Sequence, residues 1–245
     1  MQKFNEDTRV KIPATIQFLK IGYNYQSLKD DKLDIDFNTK IFINRFKPAI
    51  EKINHREISY DEIKQLLDEI NNLIRNNDLG KEFYFRLINP QDKLKLIDFD
   101  NIENNDFAIV DELPFSITPD SDVGSFRPDI NVLINGIPLA FLEVKKPNNE
   151  GGIQKEFKRM INDRLKNGAF KKYFNLIQIV AFSNNMEYED SDEAEDVRAG
   201  SFYTTPNGNN TSFSFFREDD ELYNLKYDYK KISEEEIKNI TKDLG

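Results

Sequence analysis

Two acidic residues and a lysine interrupt an otherwise apolar stretch, "RPDINVLINGIPLAFLEVKKP", at residues 127–147. Asp129 follows a proline, and Glu143 and Lys145 lie two residues apart near the end of the second apolar run. Ionised groups are costly to bury unless they are paired or bind a metal. Two carboxylates beside a lysine can hydrolyse a phosphodiester around a divalent cation, so this spacing indicates a candidate nuclease site.

The donor atoms of this candidate site indicate which metal it would bind. Carboxylate oxygens, with no Cys in the chain and a single His far away, suit Mg²⁺ or Mn²⁺ rather than zinc. Asp129 and Glu143 would hold the ion, and the backbone carbonyl of Val144 would add an oxygen. Lys145 would orient or help deprotonate the attacking water. Spacing alone leaves an alternative open, an ordinary ion-pair cluster at the edge of a sheet.

The turn of the predicted hairpin decides whether the three side chains meet. Side chains alternate along a strand, so Glu143 and Lys145 share a face. A two-residue loop at 135–136 would put Asp129 on the opposite face, whereas a three-residue loop at 134–136 would put all three together. The longer loop also leaves the other face wholly apolar: Ile130, Val132, Ala140, Leu142 and Val144. Because a one-residue slip inverts every side chain, the pattern predicts the three-residue loop.

The pattern of the rest of the chain predicts one α/β domain in which a central mixed sheet is flanked by helices. Apolar residues at helical spacing predict helices over 5–21, 63–74 and the segment between Gly152 and Gly168. Short apolar runs predict strands over 83–88, 93–99, 107–117 and 174–183. Two further runs around "NGNN" predict a last hairpin near the end of the chain.

The charge balance restricts how this chain could bind nucleic acid. The net charge is -10, so DNA binding would need a local basic patch or a partner. Lys155, Lys158 and Arg159 begin the densest basic stretch and are the predicted DNA-binding residues, with a solvated helix face as the alternative. The stretch continues through Arg164, Lys171 and Lys172.

Several classes of site and location are disfavoured by the sequence. There is no G-x-x-x-x-G-K-[ST] motif, so no ATP site is expected in this chain. The absence of Cys excludes disulfides and suits the cytoplasm. No signal peptide and no apolar run of roughly 18 residues is present, so a cytoplasmic location without a membrane partner is expected.

The spacing from Asp129 to "EVK" resembles the PD-(D/E)xK nuclease signature. The surrounding residues resemble the N-terminal nuclease domain of type I restriction enzyme R subunits, and the resemblance covers most of the chain. It is carried outside the hairpin by "NEDTRVKIP", "VAFSNNM" and "GSFYTTPNGN…FFRED". It implies a restriction-endonuclease-like core at about 83–185, with added helices and a C-terminal hairpin, inside a nuclease domain over 1–230. Residues 231–245 would be a linker toward a missing helicase-like motor, where ATP would act.

The resemblance also implies site residues. Asp129, Glu143 and Lys145 match the family's nuclease triad, and Glu6 matches a further acidic residue of the first helix. Gln154 matches the first residue of a Q-x-x-x-Y motif, although Lys158 stands here at the tyrosine position.

The implied activity is that of a type I site-specific deoxyribonuclease subunit. It would be a Mg²⁺-dependent endonuclease that cuts double-stranded DNA without sequence specificity of its own, in defence against foreign DNA. Modification and specificity subunits would be its partners. Two rival hypotheses are a stand-alone repair-type nuclease and a non-catalytic docking module with the same fold.

Overall fold

The computed structural model describes residues 10–91, 93–115, 126–146, 152–184, 201–205, 214–215 and 229–244, with only the backbone of 152–154 and 214–215. Its centre is a seven-stranded sheet whose strands neighbour one another in chain order. The strands are β1 (Asn24–Tyr25), β2 (Phe107–Asp111), β3 (Ile130–Ile134), β4 (Ile137–Val144), β5 (Ile179–Ser183), β6 (Ser201–Thr204) and β7 (Ser214–Phe215). The pairs β1–β2 and β4–β5 are parallel and the others antiparallel, which confirms the predicted mixed sheet.

Helices cover both faces of this sheet. They are α1 (Ile12–Lys20), α2 (Ile43–Asn54), α3 (Tyr60–Leu73), α4 (Lys81–Ile88), α5 (Gly152–Arg159), α6 (Lys171–Leu176) and α7 (Glu234–Asp243). A π-helical segment, Met160–Leu165, continues α5. The first helix lies beside Leu142 on one face, and α2 to α6 supply the apolar cores of the other. No helix in the described part of the chain is long and apolar enough to cross a membrane.

Two predicted strands are wrong. The aromatic run at 83–88 lies in α4, because its buried residues Phe83 and Leu87 are four apart and form one helical face. Asp78 accepts a hydrogen bond from the Glu82 N–H at 2.7 Å and so caps the start of this helix. Residues 93–99, all of which the structure describes, contain no strand. In the predicted strand at 174–183, only Ile179–Ser183 is extended. The helix around 63–74 and the closing β6–β7 hairpin are confirmed.

The last helix contacts the first strand. Ile240 is buried, and the Tyr25 hydroxyl lies 3.0 Å from Asp243 Oδ2. Lys29 Nζ donates to the backbone carbonyl of Asp243 at 2.7 Å. The segment expected to be a linker therefore contains a helix that packs against the sheet.

The predicted three-residue loop of the β3–β4 hairpin is also wrong. Ile134 pairs with Ile137, so the turn has two residues, and Asn135 and Gly136 both have left-handed φ values of 52° and 76°. This is the geometry of a type I′ turn, which suits Asn-Gly. The Asn135 amide is fully buried and donates to the Leu96 carbonyl at 2.9 Å, which fixes the turn in the fold.

A β-bulge gives Asp129, Glu143 and Lys145 the common face that the longer loop would have given, although with a different pairing of the strands. Leu133 pairs with Pro138, but Val132 pairs with Ala140, so Leu139 is an extra residue on β4. One extra residue in a strand moves every side chain beyond it to the opposite face of the sheet, relative to the partner strand. The register Ile130 to Leu142, continued by one residue, places Asp129 opposite Glu143. The predicted common face therefore exists, produced by the bulge instead of the turn.

Substituting Gly136 with alanine should destabilise the hairpin strongly. A Cβ at this position would lie 2.6 Å from the Phe42 carbonyl oxygen and 2.9 Å from the Phe46 nitrogen, both backbone atoms. Clash and left-handed strain together should lower the free energy of unfolding by roughly 2–4 kcal/mol, measured by urea denaturation. Gly22→Ala is the matched control, because φ there is 106° but nothing lies within 4 Å. Equal losses for the two variants would contradict the proposed clash.

Candidate active site

The carboxylates and the lysine meet at the end of the β3–β4 hairpin. Lys145 Nζ lies 3.9 Å from Asp129 Oδ2 and 3.8 Å from Glu143 Oε2. Their side chains are 16%, 25% and 7% exposed for Lys145, Asp129 and Glu143 respectively. The cluster therefore opens to solvent on the Asp129 side, while Glu143 forms its floor.

The backbone of the neighbouring strands holds Asp129 in position. Its Oδ2 accepts the Val144 N–H at 2.8 Å, and its carbonyl accepts the Glu112 N–H at 3.3 Å. In an extended strand the N–H and C=O of one residue face the same neighbouring strand. The Val144 carbonyl therefore faces Asp129 too, which fits its predicted role as an additional oxygen ligand.

The buried Glu143 carboxyl is electrostatically strained. Burial raises its pKa well above the usual range, the charge of Asp129 raises it further, and Lys145 only partly opposes both. The raised pKa favours the protonated form of Glu143. A divalent ion between the two carboxyl groups would offset the repulsion between them and favour the ionised form.

An aromatic layer lies beneath the carboxyl pair. Phe141, two residues before Glu143 on the same face, packs on Phe126 and Tyr173 at centroid distances of 5.6 and 6.0 Å. The buried Tyr173 hydroxyl hydrogen-bonds Asn131 Oδ1. Burial raises the pKa of Tyr173, so the phenol stays protonated. This layer keeps water away from the inner side of the site.

The other predicted site residues are placed only in part. Glu6 lies outside the described residues, and for Gln154 only the backbone, in α5, is described. Lys155 and Lys158 are exposed on α5, and Arg159 is exposed with its Nη1 3.5 Å from Glu156.

The basic stretch is shorter than the sequence suggests. Lys171 Nζ donates to the Arg75 carbonyl at 2.8 Å, and Lys172 Nζ lies 3.2 Å from Asn71 Oδ1. Lys172 therefore holds α6 against the end of α3, and Lys171 holds it against the segment that follows α3.

Two charged residues near the site are not predicted from the sequence. Glu156 is buried on α5, and its charge contributes to the raised pKa of Glu143. It lies four residues before the buried Met160, so helical spacing is the signal that could have found it. Lys11 is buried at the start of α1, 2.7 Å from Glu112. Burial lowers its pKa, but Glu112, with smaller contributions from Asp111 and Asp129, raises the pKa overall. Nothing in the sequence connects Lys11 to the hairpin.

The site offers few protein ligands to a metal. Among the described residues, no group of three or more His, Cys, Asp or Glu side chains could hold an ion. Two carboxylates and a backbone carbonyl nevertheless suit Mg²⁺, which commonly binds through one or two carboxylates and keeps several waters.

Comparison with known proteins assigns the chain to a family. A family model described as "Type I restriction enzyme R protein N terminus" matches residues 3–190. The chain belongs to this family. This R protein N-terminal region is 31% identical, over 211 residues, to the type I restriction enzyme MjaIXP endonuclease subunit of Methanocaldococcus jannaschii. That alignment covers 76% of this chain and 19% of the relative.

A second relative supports the same assignment. The MjaVIIIP endonuclease subunit of the same organism is 32% identical over 130 residues, which cover 53% of this chain and 12% of that protein. The chain therefore spans about a fifth or less of the length of the relatives it matches.

Proposed function

We propose that this chain is the Mg²⁺-dependent endonuclease domain of a type I restriction R subunit. It cuts double-stranded DNA without sequence specificity of its own, in the cytoplasm, in defence against foreign DNA. The observation that carries the proposal is the position of Lys145 Nζ, within 4 Å of both the Asp129 and the Glu143 carboxylates. Modification and specificity subunits direct the cut, and ATP acts in the motor part of the R subunit.

Each residue of the cluster has a separate task in this proposal. Asp129, Glu143 and the Val144 carbonyl hold Mg²⁺ or Mn²⁺, which supplies Lewis-acid stabilisation of the charge on the phosphate. Lys145 orients the attacking water and helps to remove its proton. Because its side chain is only 16% exposed and its ammonium group lies near two carboxylates, Lys145 has few alternative positions.

The acidic balance of the chain shapes how it meets DNA. With a net charge of -10, most of the surface repels the phosphate backbone. Lys155, Lys158 and Arg159, exposed on the helix above the site, supply a local basic patch, and the partner subunits supply the rest of the binding. This division of labour fits a nuclease whose specificity is set elsewhere.

Removing Lys145 should separate catalysis from metal binding. In R subunit assembled with its modification and specificity subunits, Lys145→Ala should reduce cleavage of supercoiled plasmid by about 10²-fold or more, while Mn²⁺ still binds. Lys146→Ala is the matched control and should cut normally. Wild-type cleavage by Lys145→Ala would contradict the assigned role.

The same assay separates the rival functions. Robust cutting by the purified chain with Mg²⁺, without partners or ATP, would favour a stand-alone repair-type nuclease. If the wild-type chain bound no Mn²⁺ and the assembled enzyme cut normally with Glu143→Gln, the chain would be a non-catalytic docking module.

A further inference from the structure

We propose that Arg164 binds a phosphate of the DNA strand at the active site. The inference rests on the proposed nuclease function and deepens it, by naming a residue that would hold the substrate beside Asp129 and Glu143. Four features support it: the helix that carries Arg164, the aromatic rings against its guanidinium group, the absence of a carboxylate within ion-pairing distance among the described residues, and its electrostatic interaction with Glu143.

The π-helical segment Met160–Leu165 presents Arg164 toward the site. Met160 is fully buried, and Arg164 follows it by four residues, close to the same helical face. Lys155 and Lys158 lie on the exposed side of the preceding helix. Arg164 is therefore the basic residue of this helix that lies toward the buried side. π-helical turns often occur at functional sites.

Two aromatic rings hold the guanidinium group. Its central carbon lies 4.3 Å from the centroid of Phe126 and 5.9 Å from that of Phe170. Phe126 packs edge-to-face on Phe141, which lies two residues before Glu143 on the same face of β4. The chain of contacts thus runs from Arg164 through the aromatic layer to the floor of the site.

No carboxylate of the described residues lies within ion-pairing distance of Arg164. In contrast, Arg159 on the same helix is 3.5 Å from Glu156. The Arg164 pKa is lowered by burial and by Arg159, and raised at longer range by Glu143 and Glu156. The group stays charged, because a guanidinium does not lose its proton in proteins.

These observations fit a phosphate better than a structural role alone. A guanidinium has five donors in a planar fork, and here its face is stacked while its edge hydrogen-bonds no described residue. Glu143 and Glu156 attract this half-buried cation, but neither forms an ion pair with it. The cleaved bond must lie against the carboxyl pair. A phosphate that flanks this bond would accept hydrogen bonds from the free edge of the guanidinium group.

The test compares Arg164→Met with wild type on a short blunt-ended DNA duplex. Arg164→Met keeps a long apolar side chain over Phe126 but removes the charge. The slope of log binding constant against log salt concentration should fall by about 1, because one phosphate contact is lost. Cleavage by the assembled enzyme should fall by about 10²-fold, and Arg164→Lys should restore part of the binding. Arg56→Met, which removes a guanidinium paired with Glu62 on the α2–α3 side, should change neither quantity.

The outcomes distinguish this inference from the function on which it rests. If wild type cuts DNA and a folded Arg164→Met protein has the same slope and cleavage rate, only the inference is overturned. If wild type neither binds nor cuts, both fail. If Arg164→Met does not fold, the test is made by NMR on ¹⁵N-labelled wild type instead. The resonance followed is that of the Arg164 side-chain Nε–H. A shift on duplex addition supports the inference, and an unchanged resonance overturns it.

Discussion

Replacing Glu143 with glutamine should abolish DNA cleavage and, at the same time, stabilise the metal-free protein. Cleavage should fall at least ~10³-fold, because the substitution removes a metal ligand and its charge. Stability should rise because the native site desolvates Glu143 and places it against Asp129. Glutamine keeps the shape and the hydrogen bond to Asp129 without either penalty.

The stability gain should depend on pH in a defined direction. The folded-state pKa of Glu143 is raised, so its contribution to stability is fully present below the unfolded pKa and is lost as pH rises through the folded value. Metal-free wild type should therefore lose stability as pH rises above the ordinary carboxyl pKa of about 4.5, and Glu143→Gln should lose less. Melting in EDTA measures this, with a shift of roughly 2–4 °C for each kcal/mol.

Glu57→Gln controls for the loss of one negative charge. Glu57 is exposed on the loop before α3, so neither cleavage nor the pH dependence of melting should change. Full cleavage by Glu143→Gln would contradict the assignment of this residue as a ligand. A wild-type pH profile in the variant would contradict the account of its burial.

Mn²⁺ binding should strengthen as pH rises and should release a proton. Because the pKa of Glu143 is raised, a cation that binds its carboxylate must displace a proton. Below the raised pKa of Glu143, affinity should therefore increase about tenfold for each pH unit. Calorimetry in two buffers of different ionisation enthalpy counts the released protons. Asp129→Asn should weaken binding by about 10²-fold, as expected for loss of a charged ligand.

The matched control for this titration is Asp106→Asn. Asp106 accepts two hydrogen bonds from Arg45 Nη1 at 2.7 and 2.9 Å, so it has a role in the fold but none in the site. Its loss should reduce stability without changing Mn²⁺ affinity at any pH. Binding that does not vary with pH, or that releases no proton, would contradict exchange of a proton for the cation.

The site was more predictable from sequence than the turn that builds it. Asp129, Glu143 and Lys145 stand out because charged residues inside an apolar hairpin require partners. Their common face follows from the alternation of side chains along a strand, provided that the pairing of β3 with β4 places Asp129 on the same face as Glu143. Pattern alone could not distinguish a longer loop from a two-residue turn followed by a bulge at Leu139, because both shift the register by one residue.

Tertiary contacts account for what the sequence missed. The Asn-Gly dipeptide favours the short turn, but the partner that fixes it, the Leu96 carbonyl, lies 39 residues away. The run at 83–88 is rich in aromatic residues and so suggests a strand, yet it packs as a helix through Phe83 and Leu87. Glu156 likewise becomes part of the site only because α5 lies over β4 and β5.

The most direct test of the central claim is X-ray diffraction from Mn²⁺-soaked crystals at the manganese absorption edge. The account predicts an anomalous peak between the Asp129 and Glu143 carboxylates, within about 2.0–2.3 Å of an oxygen from each and next to the Val144 carbonyl. It also predicts that this peak is absent from crystals of Glu143→Gln soaked in the same way. A site with no manganese at a pH above the raised pKa of Glu143, or a peak that persists in the variant, would contradict it.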